Sequence, residues 1–254
     1  MAADIVISQA RTGSTRLPDK VLLKILGKEI LLHFIDRVIA ADTIDHLIIA
    51  TTENPKDDKI VDLVKDYHEK VSAFRGSEED VLDRYYKAAL AVKNKFGDDI
   101  NIIRITSDCP LIDPKVIDLH VKEFEKRSVD YLSSRITKRT WPHGMELEIF
   151  TSDALKKAWE NAKERFEREH VTPYIYQKHE KDFHLYELAF TKDLSGLRFT
   201  LDYPEDFRFI EKIYENLYPK DPLFSLQSIL DLLTNNPELK LINADHSDAR
   251  ISVS

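Results

Sequence analysis

Gln9-Ala10-Arg11-Thr12-Gly13-Ser14-Thr15-Arg16-Leu17-Pro18-Asp19-Lys20 follows a short apolar run, Ile5-Val6-Ile7, and gathers Arg11, Arg16 and Lys20 in one polar segment. A strand that opens into such a loop suits a polyphosphate. Charge-assisted hydrogen bonds to anionic oxygens are the strong ones, and backbone N–H groups around Gly13 and Ser14 are expected to add to the grip. The cluster stands out because the 254-residue chain has a formal net charge of −8. Two common phosphate motifs are absent: there is no G-x-x-x-x-G-K-[ST], and the lone Gly13 cannot supply G-x-G-x-x-G. The bland alternative, a solvated basic loop, is disfavoured by the preceding strand and by Pro18.

Outward from the loop, short β-branched runs alternate with amphipathic helical patterns. Leu47–Ala50, Val71–Phe74 and Ile100–Ile105 read as strands, an alternation that implies an α/β fold with a mostly parallel sheet. Helix starts are expected at Asn54-Pro55, at Ser77 with Asp80 three residues on, and at Asp113-Pro114. From Val129 the rhythm changes. Val129–Ser133 and Met145–Phe150 read as strands flanking a polar excursion, so residues 130–150 are expected to form a hairpin arm, with Tyr131 and Trp141 suited to an interface between subunits. Ser152 is expected to cap a helix and Pro173 to interrupt the next one. His184–Phe190 and Leu197–Leu201 read as two more strands, followed by helices from Pro204 and Ser225.

The chain is 43% hydrophobic, enough for one substantial core, and a single domain is expected over residues 1–254. No apolar run reaches the roughly 18 residues needed to cross a bilayer, so a soluble, cytoplasmic protein without membrane insertion is expected. The single cysteine, Cys109, excludes an intrachain disulfide framework. The acidic balance argues against a nucleic-acid partner, which calls for a basic stripe.

Triphosphate chemistry calls for Mg²⁺, which binds one or two protein carboxylates and completes its shell with phosphate and water. Asp108 follows the strand ending at Ile105, and Asp202 follows Arg198-Phe199-Thr200-Leu201. Ligands in open α/β sheets lie beyond the carboxyl ends of strands, so both acids are expected to converge on the loop as metal ligands. Asp113, Glu205 and Asp206 are explained by helix capping and the first-turn dipole instead.

The pattern Ala10-Arg11, Ser14, Arg16-Leu17-Pro18 and Lys20 resembles the nucleotide loop of sugar cytidylyltransferases. Phe74–Tyr85, Thr106–Pro114, Gly144–Glu148 and Arg168–Tyr174 extend the likeness over nearly the whole chain. Together these blocks resemble the spore coat polysaccharide biosynthesis protein F family, which belongs with the acylneuraminate and deoxy-octulosonate cytidylyltransferases. The chain departs from that pattern at His143-Gly144, where relatives carry Arg-Gly. The resemblance implies a Rossmann-like nucleotide-diphospho-sugar transferase fold, three layers α/β/α around a mixed sheet, Mg²⁺ as cofactor, and a homodimer. By matching position, Ala10, Arg11, Ser14, Arg16 and Lys20 would hold CTP, and Asp108 and Asp202 the metal. The implied activity transfers CMP from CTP to a sugar or sugar acid for surface polysaccharide biosynthesis, releasing pyrophosphate.

Arg16 and Lys20 are expected to stabilise the leaving pyrophosphate, and with Asp108 and Asp202 they form the expected catalytic set. Arg75, Ser77 and Asp80 are expected near the nucleoside, although Ser77 and Asp80 also read as a capping box. His143, Glu146, Glu148, Arg168, His170 and Tyr174 are rich in hydrogen-bonding groups and are assigned to the acceptor pocket. Glu146 and Glu148 alternate with Met145 and Leu147, which also fits the polar face of a half-buried strand. Two other functions share the fold class: a glycosyltransferase using a ready-made nucleotide sugar, and a catalytically silent nucleotide-binding assembly subunit. The first usually carries D-x-D, absent here, and the second has no need of the full set of charged residues.

Overall fold

The computed structural model describes residues 2–246. Residues 1 and 247–254, part of the unit expected over 1–254, lie outside the described residues. The first strand, β1 (Ala3–Gln9), is followed by a two-stranded antiparallel ribbon, β2 (Lys24–Ile25) and β3 (Lys28–Glu29), and by α1 (Ile30–Ile39). β4 (His46–Thr52), α2 (Asp58–Val64), β5 (Val71–Gly76), α3 (Val81–Ala91), α4 (Lys93–Phe96), β6 (Ile100–Arg104) and α5 (Pro114–Glu125) complete the first half. The second half contains β7 (Tyr131–Ser133), β8 (Glu148–Thr151), α6 (Ser152–Asn161), α7 (Arg165–His170), β9 (Leu185–Glu187), α8 (Pro204–Leu217) and α9 (Leu226–Asn235).

Among the described residues seven strands form the central sheet, in the order β5-β4-β1-β6-β8-β7-β9. The pairs β5·β4, β4·β1, β1·β6 and β7·β9 are parallel, and β8 runs antiparallel to both neighbours. Side chains alternate across a strand, which places Val6, Leu47, Ile49, Ile103 and Ile149 on one face, against α1, α2, α5, α8 and α9. Ile5, Ile7, Ile48, Ile102 and Phe150 fill the other face, against α3 and α6. The result is the expected three-layer α/β/α fold with a mostly parallel mixed sheet.

Helix starts follow the local chemistry with small shifts. Asp113 caps α5, its carboxylate accepting from Lys115 N at 2.8 Å, and Ser225 caps α9. The cap of α6 is Thr151 rather than Ser152, and the cap of α3 is Asp80, with Ser77 Oγ accepting from Asp80 N at 3.0 Å one turn earlier.

The protruding arm is not formed. β7 and β8 do pair antiparallel, but inside the sheet, and the connection between them folds back on the core. Tyr131 and Trp141 are buried, and Trp141 Nε1 donates to Leu188 O at 2.7 Å, so neither aromatic is available to a second subunit. The expected strand Leu197–Leu201 is an extended segment with an isolated bridge to His143. That segment passes so close to Gly144 (φ +98°) that a Cβ there would lie 2.7 Å from Thr200 N, which explains the glycine at this crossing.

Candidate active site

β1 ends where Ala10 N donates to Ala50 O, and the chain then closes a compact loop around the carbonyl of Thr12, which accepts from Ser14 N at 2.8 Å and Asp19 N at 3.1 Å. Ser14 Oγ accepts from Leu17 N at 3.3 Å, and Asp19 takes a left-handed turn (φ +53°) into the short 3-10 segment beginning at Lys20. Arg11, Gly13, Thr15 and Arg16 face solvent. The amide of Ser14, expected to face phosphate, is instead committed to closing the loop. The Arg11 and Arg16 side chains remain exposed on the loop.

Asp108 and Asp202 meet at the base of this loop. Leu201 N donates to Asp108 O at 2.8 Å, which brings the segment carrying Asp202 alongside the turn after β6. Lys20 Nζ lies 2.7 Å from Asp108 Oδ2, 2.9 Å from Asp202 Oδ1 and 2.8 Å from Leu201 O. Arg16 donates to the same Asp202 oxygen at 3.0 Å and lies over the Tyr203 ring, 4.9 Å from its centroid. Burial alone would lower the pKa of Lys20, but the Asp108 and Asp202 charges and their hydrogen bonds outweigh it and raise it above 10.5.

A buried layer fixes Asp202 from behind. Its Oδ2 accepts from Arg198 at 3.0 Å, and Arg198 also donates to both Asp206 oxygens, at 2.8 and 3.0 Å, and to His143 Nδ1 at 3.1 Å. Asp206 accepts from the amides of Asp202 and Tyr203 and from Asn243 Nδ2 at 2.9–3.0 Å, so it caps α8 as expected and also orients Arg198. Burial would weaken the charge on Arg198, yet Asp206 and Asp202 overcome it and hold the guanidinium ionised. Three cations, Arg16, Lys20 and Arg198, thus meet three carboxylates, Asp108, Asp202 and Asp206, in a charge-balanced cluster whose Arg16 faces outward.

Beside the loop lies an open cavity of about 600 Å³, at the carboxyl ends of β4 and β5. Glu78 on its wall stands 3.7 Å from Arg11 and accepts from Asn54 Nδ2 at 3.3 Å, joining the cavity to the cationic loop. The site therefore places a basic loop, paired carboxylates and an open cavity side by side.

The cytidylyltransferase family model matches residues 5–226. The chain belongs to the cytidylyltransferase family. It is 32% identical over 245 residues to the spore coat polysaccharide biosynthesis protein SpsF of Bacillus subtilis, covering 92% of this chain and 95% of that one. A Methanocaldococcus jannaschii protein named only as uncharacterized is 41% identical over 95% of this chain and 94% of its own. Among solved structures, a cytidylyltransferase from Leptospira borgpetersenii superposes with a TM-score of 0.83 at 32% identity, covering 94% of this chain and 96% of that one.

Against this cytidylyltransferase frame, the expected catalytic set comes together: Arg16, Lys20, Asp108 and Asp202 form one contiguous cluster. The expected nucleoside residues divide. Arg75 and Ser77 line the cavity, but Arg75 donates to Thr52 O (3.0 Å), Asn54 O (3.1 Å) and Asp58 (2.5 Å), and so secures the β4–α2 connection. Asp80 holds Arg168 in a bidentate pair at 2.6–3.0 Å, tying the start of α3 to α7.

The six residues assigned to the acceptor each make local contacts within the fold. His143 braces Arg198 behind Asp202, and Arg168 is taken by Asp80. Glu146 accepts from Gly144 N at 2.8 Å beside Arg139, and burial raises its pKa. His170 packs on Phe166 and Tyr174 stacks on His179. Glu148 enters a polar network at the strand ends, accepting from Arg104 (2.5 Å), Tyr131 OH (2.5 Å) and Thr172 Oγ1 (2.7 Å). Sequence reasoning missed Arg198, Asp57 and Arg104. The Arg198/Asp202/Asp206 spacing of four was the one local signal available for Arg198.

Cys109 is buried, and burial together with the Asp108 charge pushes its thiol well up, which rules against nucleophilic work. Among the described residues no helix is long and apolar enough to cross a membrane.

Proposed function

We propose that the protein is a Mg²⁺-dependent CMP-sugar synthetase. A hydroxyl of a sugar or sugar acid attacks the α-phosphorus of CTP; the new P–O bond forms as the bond to the bridging oxygen breaks, pyrophosphate leaves with the electron pair, and the hydroxyl proton is released to solvent. The observation that carries this reading is the meeting of Arg16 and Lys20, from the loop after β1, with Asp108 and Asp202 at one point. Membership of the cytidylyltransferase family and the likeness to SpsF, named for polysaccharide biosynthesis, support the nucleotide and the class of acceptor.

The donor set suits Mg²⁺. Asp108 Oδ2 and Asp202 Oδ1 already converge on a single cation, the Lys20 ammonium, and two carboxylates with phosphate and water make a normal Mg²⁺ shell. Asp108 and Asp202 would hold the ion, which supplies charge neutralisation at the α-phosphate. Arg16 and Lys20 bind the phosphates and meet the negative charge that grows on the leaving pyrophosphate. Arg198 keeps Asp202 in place during this change, and the cavity beside Arg11 and Glu78 receives the nucleoside.

CTP with Mg²⁺ is expected to raise the melting temperature more than GTP or ATP does. A ligand at a hundred times its Kd stabilises by about 2.7 kcal/mol, which for a chain of this size corresponds to roughly 5–10 °C. Thermal unfolding with each nucleotide checks this, and equal shifts would remove the cytosine assignment.

A further inference from the structure

We propose that Asp57 is a positioning residue for the phosphate loop, holding Thr12 so that the cations of the loop are preset for a triphosphate. The inference rests on the function proposed above. Asp57 lies in the 3-10 turn Pro55–Asp57 between β4 and α2, and is 2% exposed. Its Oδ1 accepts from both Thr12 N and Thr12 Oγ1 at 2.7 Å, and its Oδ2 accepts from Thr52 Oγ1. Thr12 is the residue on which the loop closes, since its carbonyl takes the amides of Ser14 and Asp19. One carboxylate therefore anchors the hub of the loop through two bonds.

The anchor is itself secured. Arg75 fixes the carbonyls of Thr52 and Asn54 and the carboxylate of Asp58, so the connection bearing Asp57 is tied down next to the nucleoside cavity. A run of fixed groups thus leads from the cavity wall through Asp57 to Thr12 and the loop. A buried negative charge under a site for a polyanion is electrostatically adverse, so the benefit of Asp57 is geometric: a loop already ordered loses less entropy when ligand binds. Asp57→Asn removes the adverse charge, keeps Oδ1 for Thr12 and turns an Nδ2 donor toward Thr52 Oγ1, so the bonds to Thr12 lose their charge assistance. Geometry and charge therefore make opposite demands on this variant.

Calorimetric titration of the full chain with CTP, with inorganic tripolyphosphate and with cytidine separates them. Asp57→Asn is expected to weaken CTP and tripolyphosphate about tenfold, as loss of charge assistance from two bonds does, while cytidine binding stays unchanged. Thr12→Val, which loses only the hydroxyl donor, is expected to weaken both triphosphates about threefold, and Thr12→Ser to recover most of the affinity. Circular dichroism and melting temperature establish that each variant is folded; if Asp57→Asn does not fold, the Thr12→Val and Thr12→Ser pair decides. Unchanged or tighter triphosphate binding in a folded Asp57→Asn, or equal loss for cytidine and tripolyphosphate, would overturn the positioning role. A wild-type protein that binds no triphosphate would overturn the proposed function itself.

Discussion

Asp202→Asn is expected to lower turnover about a thousand-fold or more, as removal of a preorganised charge from an active site does, and to lower the melting temperature as well. Asp108→Asn should share the first effect and largely escape the second. The asymmetry follows from burial: the Asp202 side chain is 1% exposed and that of Asp108 17%. Asp202 touches Lys20, Arg16 and Arg198 together, and Arg198 is itself enclosed. Removing one partner of a buried ion pair costs about 3–5 kcal/mol. The persistence of Asp206 on Arg198 should keep the loss toward the lower end. Turnover and thermal unfolding of the two variants side by side check this. Equal stability of Asp202→Asn and the wild type would show that the Arg198 layer does not depend on Asp202.

Lys20→Met is expected to reduce kcat by about a hundred- to a thousand-fold, with a much smaller change in KM for CTP. Charge on the pyrophosphate develops in the transition state, and a contact that strengthens there appears in kcat. Methionine keeps the length of the stem while deleting the charge, so Lys20's packing is largely preserved. The pH dependence carries a second test. The pKa of Lys20 is raised above 10.5, so its stabilising charge is complete below that value and is lost only as pH rises through the still higher folded pKa. In the metal-free protein Lys20 should therefore contribute no change in folding stability between about pH 6 and pH 9, which thermal unfolding across that range checks. Single-turnover rates with saturating CTP measure the chemical step, and an unchanged rate in Lys20→Met would remove the leaving-group role.

The parts of this site that could be read from the sequence are those whose chemistry is local. The loop announces itself because Arg11, Arg16, Pro18 and Lys20 lie within ten residues of one another, just after an apolar strand. Asp108 and Asp202 were legible because each follows an extended apolar segment, and at Asp202 the capping of α8 falls to the neighbouring Tyr203 and Asp206. What escaped depends on contacts between distant segments. Arg198 is recruited by Asp206, His143 and Asn243, and Asp57 by Thr12, 45 residues earlier. The contacts of the acceptor candidates were hidden for the same reason, since Arg168 finds Asp80 across 88 residues.

The hairpin arm illustrates a different limit. Residues 135–144 read as polar, and the flanking strands read correctly as partners, yet periodicity alone does not say whether a hairpin projects or is inserted into a sheet. Insertion is decided by β8 pairing with β6 as well as with β7, and by burial of Trp141, Met145 and Leu147. The same insertion brings His143 against the Leu197–Leu201 segment and so completes the wall behind Asp202. A feature expected to serve assembly is thus part of the support for the paired carboxylates.

The central claim is transfer of CMP from CTP, and it is tested most directly by incubating the protein with CTP labelled at the α-phosphate, Mg²⁺ and a panel of acidic and amino sugars, and separating the products. Label is expected in a CMP-linked sugar with at least one acceptor, together with an equal amount of pyrophosphate. CTP left intact with every sugar, or release of CMP from a ready-made CMP-sugar with no pyrophosphate formed from CTP, would contradict it.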